Sequence, residues 1–74
     1  MTEEVIAVAA AHITQCPYCI RGHTRSALHA GATEEQIMEA VWVAAEMRAG
    51  ASYAHALLAM QEMENTAQLT PGQG

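Results

Sequence analysis

Two cysteines and one histidine are the residues of this chain whose types and spacing could do chemistry. Cys16 and Cys19 are the only cysteines and enclose two residues, and His23 follows four positions after the second. On one helix these positions are i, i+3 and i+7, so the three side chains share a face. A dithiol at this spacing can close to a disulfide, and an imidazole beside it can take a thiol proton. The spacing therefore indicates a redox site.

Pro17, directly after Cys16, predicts where the helix that carries these residues begins. Proline suits the first turn of a helix and pushes the residue before it out of the helical region. Cys16 is therefore the predicted N-cap, with Cys19 in the first turn, where the helix dipole and unpaired N–H groups lower the pKa of a thiol. Cys19 and His23 are i, i+4 neighbours suited to proton transfer. Cys16, at the helix end, is the more exposed sulfur and is suited to exchange with a partner.

Two other interpretations of these three residues stay open. They could be zinc ligands, with His12 or His29 as the fourth. Against a zinc site, such CxxC pairs usually sit in turns, and the chain has no second CxxC and no HxxxH. The cysteines could also be packing residues without chemistry.

The composition favours a small protein that associates with copies of itself. Of the 74 residues, 51% are hydrophobic and 15% are charged, and alanine dominates the apolar set. A chain this short buries only a modest fraction of its own surface, so we expect a homo-oligomer in which apolar faces meet. The net charge of −5, with three arginines and no lysine, argues against a nucleic-acid partner.

The sequence also argues against a membrane partner. No apolar stretch approaches the roughly 18 residues that a spanning helix needs. Glu3 and Glu4 stand where a signal peptide would be basic. The expected location is the cytoplasm, where a CxxC pair is catalytic or metal-binding rather than a structural disulfide.

Caps and breakers predict helices throughout the chain and no strand, which is an all-α class. Thr2 is the predicted cap of a first helix that ends near residues 13–15. The continuous apolar run 5–11 indicates that this helix is buried on several sides. The second helix is predicted over about 17–30, with Gly31 as the residue that ends it.

A capping box at 33–36 opens the predicted third helix. Gly50 could kink or break that helix, or let another helix approach closely. A final apolar segment begins near Tyr53. We expect a helical domain over residues 1–64 and a flexible tail over 65–74. The apolar stripe of the third helix is expected at Ile37, Val41 and Ala44, with Met38, Trp42 and Ala45 beside them.

Several other residues that could do chemistry have simpler structural explanations. His12 lies near the end of a predicted helix and is expected to be hydrogen-bonded there. His55 and Trp42 are predicted core or interface residues, because each lies in an apolar segment. Glu46 and Arg48 are expected to form an ion pair with one another or with a neighbouring subunit.

Glu4, the run 16–19 and His23 together resemble the signature of the AhpD-like alkylhydroperoxidases, which belong to the carboxymuconolactone decarboxylase superfamily. Segments 27–37 and 40–50 also look like helices of that family, so the resemblance covers about residues 4–60. It implies an all-helical fold that assembles into trimers or hexamers, with the site near a subunit interface. The spaced Glu, CxxC and His are together far more specific than a lone CxxC.

The resemblance implies an antioxidant enzyme that reduces hydroperoxides without a metal or organic cofactor. Cys19 would be the attacking thiolate, Cys16 the second member of the disulfide, and His23 with Glu4 the proton relay. An external dithiol or a peroxiredoxin-type protein would restore the thiols. The alternatives are a thiol–disulfide relay or redox sensor that serves a peroxiredoxin, and a zinc-binding or structural helical oligomer.

Two departures from the family pattern bear on this expectation. Well-known members carry a histidine between the cysteines, where this chain has Tyr18, so we expect weaker activity. Members also have further helices upstream of the glutamate, so the sequence is expected to be a short version or a fragment. The decarboxylase branch lacks the CxxC pair, which disfavours lactone decarboxylation.

Overall fold

A computed structural model describes residues 1–69 of the chain, with side chains over residues 1–67. That part consists of consecutive helices and contains no strand, which confirms the all-α class. No helix among these residues is long and apolar enough to cross a membrane. The helices are α1 (Thr2–Thr14), α2 (Pro17–His29), α3 (Glu34–Ala54) and α4 (Ala56–Leu69).

The turn between α1 and α2 lies where the sequence predicted it. Gln15 ends α1 in the left-handed conformation, with φ 58° and ψ 48°. Cys16 follows in an extended conformation, as the residue before a proline must, and α2 begins at Pro17. The predicted cap of α1 is wrong: the Val5 N–H pairs with the Met1 carbonyl at 3.1 Å, so Met1 is the N-cap and Thr2 is already helical.

The connection between α2 and α3 is also as predicted. Gly31, with φ +101°, takes a conformation that a side chain would disfavour, and this ends α2 one residue after its cap at Ala30. Thr33 then caps α3. Its side chain accepts from the backbone of Gln36 at 3.1 Å, and the Gln36 side chain accepts from the Thr33 backbone at 2.9 Å.

The C-terminal half differs from the sequence prediction in two places. Gly50 does not break α3, which continues to Ala54, and a Cβ built on Gly50 would meet nothing within 4 Å. One glycine costs a helix only about 1 kcal/mol, which the surrounding helix-forming residues tolerate. Helix α4 extends to Leu69, so it crosses the predicted domain boundary at residue 64, and residues 70–74 lie outside the described part.

The core lies where α1 packs against α2 and α3. Val8 of α1 and Ala27 of α2 are completely buried at its centre. Ile37 and Ala40 of α3 close it from the other side, together with Ala32 in the connecting turn. Most of these side chains are small, so the helices approach closely but bury little volume.

Helix α1 packs against both α2 and α3, which confirms the predicted burial on several sides, and leaves one exposed stripe that includes Ile6 and Ala10. Ile6, inside the apolar run that predicted burial on several sides, is 63% exposed. The predicted stripe of α3 divides in the same way: Ile37 and Ala44 are buried, whereas Met38 and Trp42 are exposed. Within the described part of one chain, there are therefore more apolar side chains than the three packed helices bury.

Helix α4 packs only against the end of α3, so the described chain is elongated. It measures 61 × 20 × 15 Å and has a Cα radius of gyration of 19.1 Å, against about 11 Å expected for a compact chain of this length. His55, between the two helices, is exposed and caps α3, so it is not a core residue. Trp42 is 69% exposed, which excludes a core position for it as well.

Candidate functional site

The two cysteines lie at the start of α2, held by the local backbone. Pro17 occupies the first turn and leaves Cys16 as the N-cap, where its Sγ accepts a hydrogen bond from the Cys19 N–H at 3.2 Å. Both thiols are free and half-buried. The predicted N-cap role of Cys16 is confirmed, and the two sulfurs share the helix end, where they could form a disulfide.

The surroundings of the two thiols differ, and their pKa values move in opposite directions. Hydrogen bonds from the Cys19 side chain and the Cys19 N–H lower the pKa of Cys16, because both stabilise its thiolate. The same interaction, through the Cys16 side chain, raises the pKa of Cys19, to which burial adds. As pH rises, Cys16 therefore ionises before Cys19, and the prediction that the helix N-terminus lowers the pKa of Cys19 is wrong.

Glu4 and His23 come together from α1 and α2. The His23 Nδ1 lies 2.9 Å from the Glu4 Oε2, although the two residues are 19 positions apart in the chain. An ionised carboxylate can only accept, so Nδ1 carries the proton and Nε2 of a neutral ring is left as an acceptor. The side chains are 45% and 34% exposed, and an exposed pair contributes only about 0.2–1 kcal/mol to stability. Its main effect is to fix the orientation of the imidazole.

His23 lies one helical turn beyond Cys19 on α2. Within residues 1–69, its side-chain hydrogen bond is to Glu4, and neither thiol is bonded to it. Catalytic hydrogen bonds often tighten only when the substrate is bound, so this spacing is compatible with proton transfer. The structure therefore joins Cys16 to Cys19 and Glu4 to His23, and the two pairs lie about one helical turn apart on α2.

Other histidines lie away from this set or are engaged elsewhere. His12 donates from Nδ1 to the Val8 carbonyl at 2.8 Å, which confirms the prediction that it is hydrogen-bonded on its helix. His29 is in the last turn of α2, at the opposite end from the cysteines. Among the described residues, no group of three or more His, Cys, Asp or Glu is placed to hold a metal ion, so the zinc interpretation gains no ligand set there.

Arg48 contributes to the site in a way that the sequence did not predict. Its Nη1 donates to the Ile13 carbonyl at 2.6 Å, reaching from α3 to the end of α1. The expected ion pair with Glu46 is not formed within residues 1–67. The last carbonyls of a helix have no partners in that helix, so Arg48 satisfies one of them just before the turn to Cys16. From the sequence, only the general need of helix-end carbonyls for a donor could have suggested this hydrogen bond of Arg48.

Comparison of the sequence with known proteins identifies a family. The model of the carboxymuconolactone decarboxylase family matches residues 2–62. The chain is 64% identical over 63 residues to "Uncharacterized protein 4 in cox locus" of Paracoccus denitrificans. That match covers 85% of this chain but 57% of the relative, so the chain spans little more than half of the relative's length. No solved structure matches the chain. Because the family model matches residues 2–62, which is most of the chain, this chain belongs to the carboxymuconolactone decarboxylase family.

Proposed function

We propose that this protein is a thiol oxidoreductase that reduces hydroperoxides through Cys16 and Cys19. Membership of the family leaves the reaction open. The observation that carries the proposal is the bond between Glu4 and His23, which orients an imidazole one turn from a dithiol. A thiol that must be deprotonated and a leaving alkoxide that must be protonated both need such a group.

In the proposed reaction, His23 takes the proton of the Cys19 thiol. The Cys19 thiolate attacks the terminal oxygen of the hydroperoxide, the O–O bond breaks, and the alkoxide takes the proton back from His23 to leave as an alcohol. The sulfur is oxidised to a sulfenic acid and the peroxide is reduced by two electrons.

Cys16 completes the cycle. Its thiolate attacks the sulfenic sulfur of Cys19, a disulfide forms, and the displaced hydroxide takes a proton from solvent and leaves as water. The lowered pKa of Cys16 supports its role as the second thiol, because at any given pH it makes a larger fraction of that thiol available as the attacking thiolate. An external dithiol then reduces the disulfide by two successive exchanges.

The same lowered pKa favours a second candidate function, a thiol–disulfide relay for a peroxiredoxin-type partner. A stabilised thiolate at a helix N-terminus exchanges readily with a partner disulfide and does not require a direct reaction with peroxide. The two functions differ in which oxidant closes the Cys16–Cys19 disulfide.

A stoichiometric oxidation experiment tests the proposal. Reduced protein is mixed with one equivalent of cumene hydroperoxide, and intact mass and free thiols are followed with time. We expect both thiols and two hydrogens to be lost and to return with dithiothreitol. Cys19→Ser should abolish the reaction, whereas Cys16→Ser should accumulate a sulfenic acid that dimedone traps.

His23→Ala should slow the oxidation by about 100-fold, the usual size of a general acid–base contribution. His12→Ala is the matched control, because that imidazole is bonded to its own helix, and its rate should equal that of the wild type. Peroxide consumption that survives Cys19→Ser would contradict the mechanism. If the two thiols do not react with peroxide but are rapidly oxidised to the Cys16–Cys19 disulfide by another disulfide, the result would support the relay instead.

A further inference from the structure

Helix α2 carries a row of exposed residues on the side that does not face the core. Arg21, Arg25 and Leu28 are spaced i, i+4 and i+7, so they share one face of the helix. Ala27, which is completely buried, lies on a different side of α2. Within residues 1–67, neither arginine side chain has an ion pair or a hydrogen bond. These three residues are called the basic row below.

Helix α3 carries a row with the same spacing and the opposite charge. Glu35, Glu39 and Trp42 are again spaced i, i+4 and i+7, and all three are exposed. The buried Ile37 and Ala40 lie on the opposite side of α3, toward the core. Within residues 1–67, neither of the two carboxylates has an ion pair or a hydrogen bond. These three residues are called the acidic row below.

Each row is unfavourable in a single chain. Like charges four residues apart on a helix repel one another, and Leu28 and Trp42 keep apolar surface in contact with water. The two rows do not neutralise each other, because no ion pair joins them within residues 1–67. A partner with a row of the opposite charge and the same spacing would relieve the repulsion and cover the apolar surface.

A second copy of the chain has such a row. When α2 and α3 of two copies lie side by side in the same direction, the charged residues of the two rows meet about 6 Å apart along the axis, and the apolar residues follow about 10.5 Å from the start. The net charge of the chain is −5, so copies repel one another over most of their surface. Two of the three basic residues are in the basic row, which makes it the surface of a copy that attracts another copy most strongly.

We infer that the basic row of one copy binds the acidic row of a second copy, with the two helices side by side and in the same direction. The facing pairs are Arg21 with Glu35, Arg25 with Glu39, and Leu28 with Trp42. The contact specifies which surfaces of the expected homo-oligomer meet, and it does not rest on the proposed function. Because the two rows are different surfaces, every copy offers both, so this contact can link more than two copies.

Exchanging the charges of one facing pair tests the contact. Arg25→Glu and Glu39→Arg each place like charges opposite one another, so each should lower the association constant by about tenfold for each contact. The chain with both substitutions keeps the net charge of −5 and restores an opposite pair, so it should regain most of the wild-type mass. Sedimentation velocity over a range of concentrations measures the association, and circular dichroism at 222 nm measures the helical content of each variant.

The combination of Arg25→Glu with Glu46→Arg is the matched control. It also keeps the wild-type net charge, and Glu46 is an exposed residue of α3. It lies about 10.5 Å beyond Glu39 along the helix, which is more than the distance over which salt screens exposed charges at physiological ionic strength. We therefore expect this control to sediment like Arg25→Glu alone.

Four results would overturn the inference. They are a monomeric wild type, a wild-type mass in both single variants, an equal recovery in the matched control, and a folded exchanged chain that recovers no mass. If the exchanged chain loses helical content, an equimolar mixture of Arg25→Glu and Glu39→Arg chains creates the same opposite pair between different copies. That mixture should regain mass over either variant alone, and a mixture that stays at the mass of its components would also overturn the inference.

Discussion

At the scale of single residues, two cysteines of identical type have opposite properties because of one short interaction. The spacing of Cys16, Cys19 and His23, and the proline between the thiols, were enough to predict a dithiol at a helix N-terminus. Which sulfur ionises first could not be predicted from spacing, because it depends mainly on the hydrogen bond between the two thiols and then on the 3.2 Å bond from the Cys19 N–H to the Cys16 Sγ. The role of Glu4 came from a resemblance, since its contact with His23 spans two helices.

The pKa directions predict that the two thiols are alkylated over different pH ranges. A thiolate is the reactive form, so Cys16, whose pKa is lowered, should react with iodoacetamide at lower pH than Cys19, whose pKa is raised. Site-resolved mass spectrometry of briefly treated, reduced protein measures both profiles. Cys19→Ala should move the Cys16 profile to higher pH, because it removes the side-chain donor and leaves only the backbone N–H groups of residues 19 and 18 to stabilise the thiolate. Coincident profiles in the wild type would contradict the assignment of the thiolate.

At the scale of helices, sequence prediction succeeded where local chemistry decides. Pro17, Gly31 and the capping box at Thr33 each act through neighbouring residues, and all three boundaries lie where they were predicted. It failed at Thr2, which lies inside α1, and at Gly50, which α3 passes through without a break. A helix can start one residue earlier if a backbone carbonyl is free, and a single glycine does not outweigh the helix formers around it.

Two threonines offer a matched test of this account. Thr33→Ala removes the side-chain half of the capping box and should lower the free energy of unfolding by about 1 kcal/mol. Thr2→Ala should change it by less than about 0.5 kcal/mol, because Thr2 is inside α1 and does not cap it. Urea titration followed by circular dichroism at 222 nm gives both values. Equal losses in the two variants would mean that Thr2, not Met1, caps α1.

At the scale of the whole molecule, the single chain leaves too much apolar surface uncovered. Within the described residues, its buried core contains only two side chains larger than alanine, Val8 and Ile37. Helices α3 and α4 together are called the α3–α4 rod below. Large apolar side chains are exposed along this rod and are not buried by the rest of the described chain. They include Met38, Trp42, Val43, Met47, Tyr53, Leu57, Leu58, Met60 and Met63. Exposed apolar surface of this extent marks an interaction site, and the composition had already favoured association between copies.

We therefore expect the protein to sediment as a multiple of its 7.9 kDa chain mass, with the trimer and the hexamer as the assemblies to distinguish. Leu58, 62% exposed on α4, should be covered in that assembly, so Leu58→Glu should lower the sedimenting mass and the helical content together. Gln61→Glu adds the same charge at an exposed polar position of the same helix and should leave both unchanged. Analytical ultracentrifugation over a range of concentrations measures the mass. A wild-type chain that stays monomeric and fully helical at micromolar concentration would show that the α3–α4 rod is stable alone, and that its apolar surface serves a different partner.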